Sequence, residues 1–475
     1  MFIPDPGIAQ IAGTIKNYGI NPIFVDLNLP ENTFSAFLNL VRVERPDIIG
    51  FKFFDTGFQG IINLAHIVKK DFPKCCLIAA GPHVTLFREH VFHQTPDFDF
   101  LVIGEGELAI IDIIEYLEGI RKKEDIVNVI YQSGGEKIQT IRRLVSDLDT
   151  LASPDWTVFP IQRYFPIILL NDHRFCPQRC SYCSHNYLWG YDYSTPGSVH
   201  PYNPFIRSKS LSRICEETKR AIYNLGVKIF GFTDSIPIRQ RLIDWARILI
   251  DNKEKVYWTS FSMVNQFSLE DLELLARSGC RSLWIGVENA NENLLGKMGK
   301  KHTREQVLQT FQNLHKCGIV GVAGFMIGFP GETSESIDQT KSLIQNLSSS
   351  INIISPFILD PGSPIALSPS SYDITLMDDW ECRIILRDNL NEFEIPYYKY
   401  NGIPNDQLWR QFEKLSNYSR WNSDRAISES ENAVVLSAAL GIPMNIFVSR
   451  VNEAIISPDT KAMNRIIESV WKATS

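Results

Sequence analysis

A chain of 475 residues, 44% hydrophobic and 21% charged, can core two or three domains without covalent staples. Its formal charge of −7 disfavours nucleic acid as a substrate, and nine cysteines spread over so long a chain do not resemble a secreted disulfide framework. The start, MFIPDPGIAQ, lacks the basic and apolar segments of a signal peptide, and no apolar run reaches the ~20 residues of a membrane span, so a cytoplasmic protein is expected.

From about residue 20 to 110, short apolar runs alternate with helical patterns: INPIFVDL, a helix, PDIIGFKFF, a helix through Ile62 to Lys69, CCLIAAG and FDFLVIGEGE. This rhythm predicts βαβ units on a doubly wound parallel sheet in a first domain, residues 1–145. A second series follows the polar stretch Ser146 to Asp155, with strands expected in PIILLND, KIFGFTD, YWTSFSM, SLWIGVE, GVAGFMIG and NIISPF. Ser268 and Thr303 stand where helix N-caps belong, and Gly279 and Gly318 follow the same two helices. Six β–α steps over 146–363 predict a partial (β/α)6 barrel, and the irregular remainder, 364–475, a mostly helical region.

FCPQRCSYCSH comes directly after the first strand of the second series, which puts Cys176, Cys180 and Cys183 at the C-terminal end of a barrel strand, where such barrels keep their chemistry. Three thiolates can hold an iron–sulfur cubane and leave one iron open. Structural zinc is the alternative, with His185 the nearby fourth ligand.

The Cys-x3-Cys-x2-Cys spacing, with Tyr182 before the last cysteine, resembles the signature of the radical S-adenosylmethionine (SAM) superfamily, and the resemblance extends from about residue 165 to 360. It implies a 4Fe-4S cluster on Cys176, Cys180 and Cys183, SAM chelated to the open iron, an external electron donor and release of a 5′-deoxyadenosyl radical. Glu288 resembles the fourth-strand acid that approaches SAM, and Gly324 and Gly328 lie in a stretch similar to the glycine-containing adenine segment. FPGET, 329–333, resembles a stretch of radical SAM proteins that carry a cobalamin domain. Asp234 is the candidate second-strand contact, although the paired acids common there are replaced by Thr233-Asp234-Ser235.

Residues 1–120 resemble the cobalamin-binding domain that precedes many radical SAM barrels, through Pro6-Gly7-Ile8-Ala9, PDIIGFKFFD, AAGPHVT and VIGEGE. Gly81 and Gly104 fall where a corrin and its nucleotide tail need close backbone approach. The opening at what looks like the first helix suggests that an upstream strand is missing. There is no Asp-x-His-x-x-Gly segment, so no loop histidine is offered to cobalt; His83, in a Gly-Pro-His turn, reads better as a local hydrogen-bonding residue.

Cys75, Cys76, Cys215, Cys280 and Cys317 read as small core hydrophobes. The resemblance leads to a cobalamin-dependent methyltransferase acting on an unactivated carbon of a small-molecule, lipid or peptide substrate. Cyclisation or rearrangement with a vestigial cobalamin domain, and a non-catalytic iron–sulfur or zinc protein, are the alternatives. The tRNA methylthiotransferases, with their three-cysteine N-terminal domain and basic tail, do not match.

Overall fold

The computed structural model describes residues 3–53, 58–190, 206–232, 236–347, 351–378, 398–400, 410–411, 431–457, 459 and 461–474. In the first sheet the strands Ile48–Lys52, Cys76–Ala80 and Phe100–Val102 run parallel in that order. The alternation of side chains separates two cores. Cys76 and Ile78 face Ala109 and Ile113 of the helix Gly106–Leu117, while Leu77 and Ala79 face Phe58, Leu64 and Val68 of the helix Phe58–Asp71. Helices thus cover both faces, as the strand–helix rhythm predicted.

Two details differ from the sequence reading. INPIFVDL is not a strand: Phe24 instead packs on Phe159 at 4.6 Å between ring centroids, and Asp26 accepts the Tyr164 hydroxyl at 2.7 Å. Tertiary contacts to the connector before the barrel have overridden its strand propensity. The parallel strands are also extended by an antiparallel hairpin, Val129–Ser133 with Glu136–Gln139, turned by Gly134 and Gly135 at φ 60° and 86°. A two-residue turn with both φ positive is what Gly-Gly permits and what the twist of a hairpin favours.

The second sheet holds six parallel strands in consecutive order: Ile167–Leu170, Ile229–Phe232, Tyr257–Ser262, Cys280–Glu288, Val320–Ile327 and Ile351–Pro356. Ser268 and Thr303 each close a reciprocal capping box, and Gly279 and Gly318 follow those helices at φ 104° and 68°. On the fourth strand Leu283, Ile285 and Val287 are buried in the core beneath the outer helices, whereas Trp284, Gly286 and Glu288 are only half-buried on the inner face. The fifth strand repeats this with Ala323, Phe325 and Ile327 against Gly324 and Met326.

The helix Glu431–Leu440 lies across the second to fourth strands, and its Val434 packs with Val322, Ile351 and Ile353. It fills the interior of the barrel beside these strands, and Trp284 packs against the same cluster. Among the described residues no single helix is long and apolar enough to cross a membrane; the bent pair Asn432–Leu440 and Met444–Ile455 passes by composition, and its Ala433, Leu436, Phe447 and Val451 lie in the barrel core.

Candidate active site

The cluster loop leaves the first barrel strand through His173–Arg174, which pairs antiparallel with Arg207–Ser208. Phe175 then takes φ 78°, a turn that delivers Cys176. Asn186 holds this end of the loop: its carbonyl accepts the Cys176 N–H at 2.7 Å, and its amide donates to the Cys176 and Gln178 carbonyls at 3.3 and 3.2 Å. The other end is held by the helix Glu292–Met298. Ser181 donates its N–H to the Met298 carbonyl at 3.0 Å and its hydroxyl to the Lys297 carbonyl at 2.9 Å. Gly299, at φ 80°, lies so close that a Cβ there would stand 2.8 Å from the Arg179 carbonyl oxygen.

Cys176, Cys180 and Cys183 lie on this one loop, and the Cys183 N–H donates to the Cys180 carbonyl at 3.1 Å. Burial pushes the Cys183 thiol up to about 12, and Cys180 and Cys176 add to the shift. Burial also raises Cys180, while the Lys300 ammonium works the other way. Thiols raised by desolvation ionise when a cationic metal centre supplies the missing charge. Among the described residues no three His, Cys, Asp or Glu side chains, the three cysteines included, are grouped tightly enough to hold a metal ion. Three thiols on one clamped loop at the C-terminal end of a barrel strand match the donor set of a site-differentiated cubane.

Glu288 ends the fourth strand at φ 66° and meets Lys300 at 3.2 Å, each side chain 13% exposed. The Tyr182 hydroxyl also donates to Glu288, and burial first, then the Glu288 charge, raises the phenol far above its ordinary range. A Cβ on Gly286 would stand 2.4 Å from a Glu288 carboxylate oxygen, so this glycine makes room for the pair. Gly324 faces the interior, where a Cβ would come within 3.1 Å of Trp284 Nε1, and Gly328 sits at φ 89° with its N–H donated to Glu332 at 2.5 Å. Glu332 also accepts from the Asn289 amide at 2.8 Å and so ties the ends of the fourth and fifth strands together. Asp234, with Thr233 and Ser235, lies outside the described residues.

Gly81 and Gly104 both sit at strand ends of the first sheet, at φ 111° and 75°. Their immediate neighbours are protein: a Cβ would stand 2.7 Å from the Phe53 carbonyl oxygen at Gly81 and 2.6 Å from an Arg142 guanidinium nitrogen at Gly104. At both strand ends the missing Cβ lets other parts of the protein pack close, the neighbouring Phe53 backbone at Gly81 and the Arg142 side chain at Gly104. His83 is 1% exposed, with ring centroids 5.5, 4.5 and 4.6 Å from Phe53, Phe58 and Phe87; it is a core aromatic, and the local-turn reading understated its burial.

Sequence reasoning missed Lys300, Asn186, Arg174 and Arg207. Lys300 sits in the run Gly-Lys-Lys, where nothing separates it from a solvated lysine. Glu105 and Glu107 were legible only as part of VIGEGE. In the fold both turn away from the strand-end crevice towards the barrel: Glu105 pairs with Arg207 at 2.5 Å and with Arg174 at 3.2 Å, and Glu107 pairs with Arg174.

Comparison with known proteins fits this architecture. Residues 170–344 match the family profile of the radical SAM superfamily, and residues 1–114 that of the B12 binding domain. An uncharacterized methyltransferase of Pyrococcus horikoshii is 26% identical over 351 residues, 72% of this chain and 73% of the relative. The anaerobic magnesium-protoporphyrin IX monomethyl ester cyclase of Rubrivivax gelatinosus is 24% identical over 359 residues, 72% of this chain but only 62% of the cyclase. Two solved structures share the fold. The radical SAM methyltransferase TsrM from Kitasatospora setae, with cobalamin and a [4Fe-4S] cluster bound, superimposes with a TM-score of 0.67 at 13% identity, over 98% of this chain and 96% of its own. The cobalamin-dependent SAM radical enzyme OxsB, with aqua-cobalamin and SAM bound, gives 0.70 at 14% identity, over 98% of this chain and 72% of its own. The chain thus joins a B12 binding domain, residues 1–114, to a radical SAM domain, residues 170–344.

Proposed function

We propose that the chain is a cobalamin-dependent radical SAM methyltransferase that delivers a methyl group to an unactivated carbon of a small-molecule, lipid or peptide substrate. One observation carries this: the strand ends of the B12-type sheet lie directly against the three-cysteine loop region, with the site of a Gly104 Cβ 3.5 Å from the Leu188 carbonyl and Glu105 paired to Arg174.

On this proposal Cys176, Cys180 and Cys183 hold a 4Fe-4S cluster, which supplies the electron that cleaves SAM and is itself reduced by an external, cytoplasmic donor. Tyr182, Glu288 and Lys300 form the polar wall beside those thiols, where SAM's ribose and amino-acid groups need partners. Gly324, half-buried on the fifth strand, is the candidate for the adenine, with Gly328, its N–H held by Glu332, shaping the end of that strand, and Asp234 is the candidate for the amino group. Cobalamin, when bound, carries the methyl group, and Gly81 and Gly104 mark the strand ends where it would lie. The protein's own contribution is orientation and exclusion of side reactions.

The P. horikoshii relative is named a methyltransferase, which supports the proposal; the R. gelatinosus relative is named a cyclase, and that favours ring closure with the same cofactors as the second reading. Anaerobic reconstitution with iron, sulfide and cobalamin, followed by incubation with SAM and a reductant, separates them. Methyl transfer predicts S-adenosylhomocysteine together with 5′-deoxyadenosine, whereas 5′-deoxyadenosine alone would favour ring closure. Cys176→Ala, Cys180→Ala and Cys183→Ala should each abolish cluster absorbance and SAM cleavage in a soluble protein. Cys280→Ala, at a fully buried thiol in the barrel core, should keep both and lose about 1 kcal/mol of stability. Full cluster content in any of the first three variants would overturn the ligand set.

A further inference from the structure

Four charged side chains meet in the interior between the first sheet and the cluster loop. Glu105 is 0% exposed, Arg207 1%, Arg174 5% and Glu107 6%. Two carboxylates face two guanidinium groups, so the set is neutral. Glu105 also accepts the Val145 N–H at 2.8 Å, and Arg207 donates to the Val145 carbonyl at 2.6 Å. Burial works against the Glu105 charge, but Arg174 and Arg207 outweigh it and hold the carboxyl below its ordinary range.

The carboxylates and the guanidinium groups come from different parts of the fold. Glu105 and Glu107 stand at the start of the helix Gly106–Leu117, immediately after Gly104 at the strand-end crevice. Arg174 stands two residues before Cys176 and lies over the Trp189 ring at 5.1 Å. Arg207 lies over the ring of Phe175, the positive-φ residue between Arg174 and Cys176, at 5.6 Å. The backbone entering Cys176 is therefore held on one side by this quartet and on the other by Asn186.

Packing alone does not require such a set. Burying four charges is costly, and apolar residues of similar volume commonly hold two layers together as well or better. What forked guanidinium–carboxylate pairs add is a fixed direction for the chain that carries them. We propose that Arg174 is a positioning residue for the cluster ligand Cys176, and that Glu105 and Glu107, at the helix start that follows the Gly104 strand end, are the anchors against which it is set. The VIGEGE acids thereby join the two cofactor sites mechanically.

This rests on the assignment of Cys176 as a cluster ligand, and the test separates the two. The reconstituted full chain is compared with Arg174→Lys and with the double variant Arg174→Met/Glu107→Met. The double variant leaves the Glu105–Arg207 pair neutral and no orphan charge, so it should fold with a denaturation midpoint near that of the wild type. The readouts are the electron paramagnetic resonance spectrum of the reduced cluster and the rate at which a chelator strips its iron. Arg174→Lys should broaden or shift the spectrum and speed iron loss at least threefold, and the double variant at least tenfold. Arg213→Lys, in an ion pair with Glu217 at 15% and 6% exposure, should leave both readouts unchanged. Wild-type spectra and iron-loss rates within twofold in both Arg174 variants would overturn the proposal. So would a double variant that fails to fold, because the quartet would then be holding the whole fold rather than the ligand. A wild-type chain that takes up no cluster would instead overturn the ligand assignment.

Discussion

Lys300 lies 3.2 Å from the Glu288 carboxylate and beside the thiols of Cys180 and Cys176. Burial works against its ammonium charge, but Glu288 first and then Cys180 and Cys176 raise its pKa above the ordinary lysine value, so it is a fixed cation. A cation next to an anionic cluster favours the added electron. Lys300→Met should lower the cluster's midpoint potential by on the order of 40 mV, equivalent to about 1 kcal/mol for one electron at this degree of burial. Lys300→Arg should restore most of it. A redox titration followed by electron paramagnetic resonance measures the shift, and an unchanged potential in Lys300→Met would show that the pair serves Glu288 alone.

Gly299 is where the loop and the helix Glu292–Met298 come closest. At φ 80°, with the Arg179 carbonyl 2.8 Å from the site of a Cβ, alanine meets both backbone strain and a collision one residue before Cys180. Gly299→Ala should cost about 2 kcal/mol and at least halve the iron retained per chain. Gly119→Ala, at φ 76° with nothing within 4 Å, carries the strain without the collision and should retain its iron. Equal iron in the two variants would mean that the clamp is dispensable.

The thiol triad and the six barrel strands were legible because each is a local pattern: a fixed cysteine spacing, and apolar runs bounded by caps and glycines. The side chains that aim the triad were not. Asn186 and Arg174 act through contacts between segments that only the fold brings together, and Lys300 becomes a buried cation only because Gly286 leaves it room. VIGEGE was recognisable as a motif, but whether its acids face a ligand or a guanidinium depends on how the second sheet docks. INPIFVDL has strand composition and forms none, since Asp26 and Phe24 are engaged by Tyr164 and Phe159.

Glu332 offers a test by pH. Burial pushes its carboxyl up to about 7, against hydrogen bonds from the Gly328 N–H, Asn289 and Ser336. Since the folded value lies above the ordinary 4.5, the native chain keeps a proton that the unfolded chain has lost between those values. Stability should therefore fall as pH rises from about 4.5 to about 7, by roughly 3 kcal/mol in all, and stay flat above that. Glu332→Gln should remove this slope. It replaces the donor that protonated Glu332 already presents to Gly328 or Asn289, so the variant should lie within about 1 kcal/mol of the wild type near pH 4.5 and be the more stable of the two, by about 2–3 kcal/mol, at pH 8. Denaturant midpoints between pH 4 and 8 measure both effects; parallel curves for the two proteins would show that Glu332 is ionised throughout.

His83 tests how cobalamin is held. Its ring is packed among Phe53, Phe58 and Phe87 and is 1% exposed, so it belongs to the core under the strand ends rather than to the crevice. A corrin lying on the backbone at Gly81 and Gly104 would receive no nitrogen from it. His83→Ala should lower stability by about 3 kcal/mol, as expected for emptying a buried aromatic site. His83→Phe, which keeps the volume and the stacking, should lose less than half of that. With cobalamin bound, the visible and electron paramagnetic resonance spectra of wild type and His83→Phe should be the same and free of histidine nitrogen hyperfine structure. Affinity should also be equal within about twofold, because shape and backbone contacts carry it. A change in the corrin spectrum of His83→Phe at unchanged stability would make the histidine a cobalt ligand, and would require the helix Pro82–Phe87 to turn its first residues outward when the corrin binds.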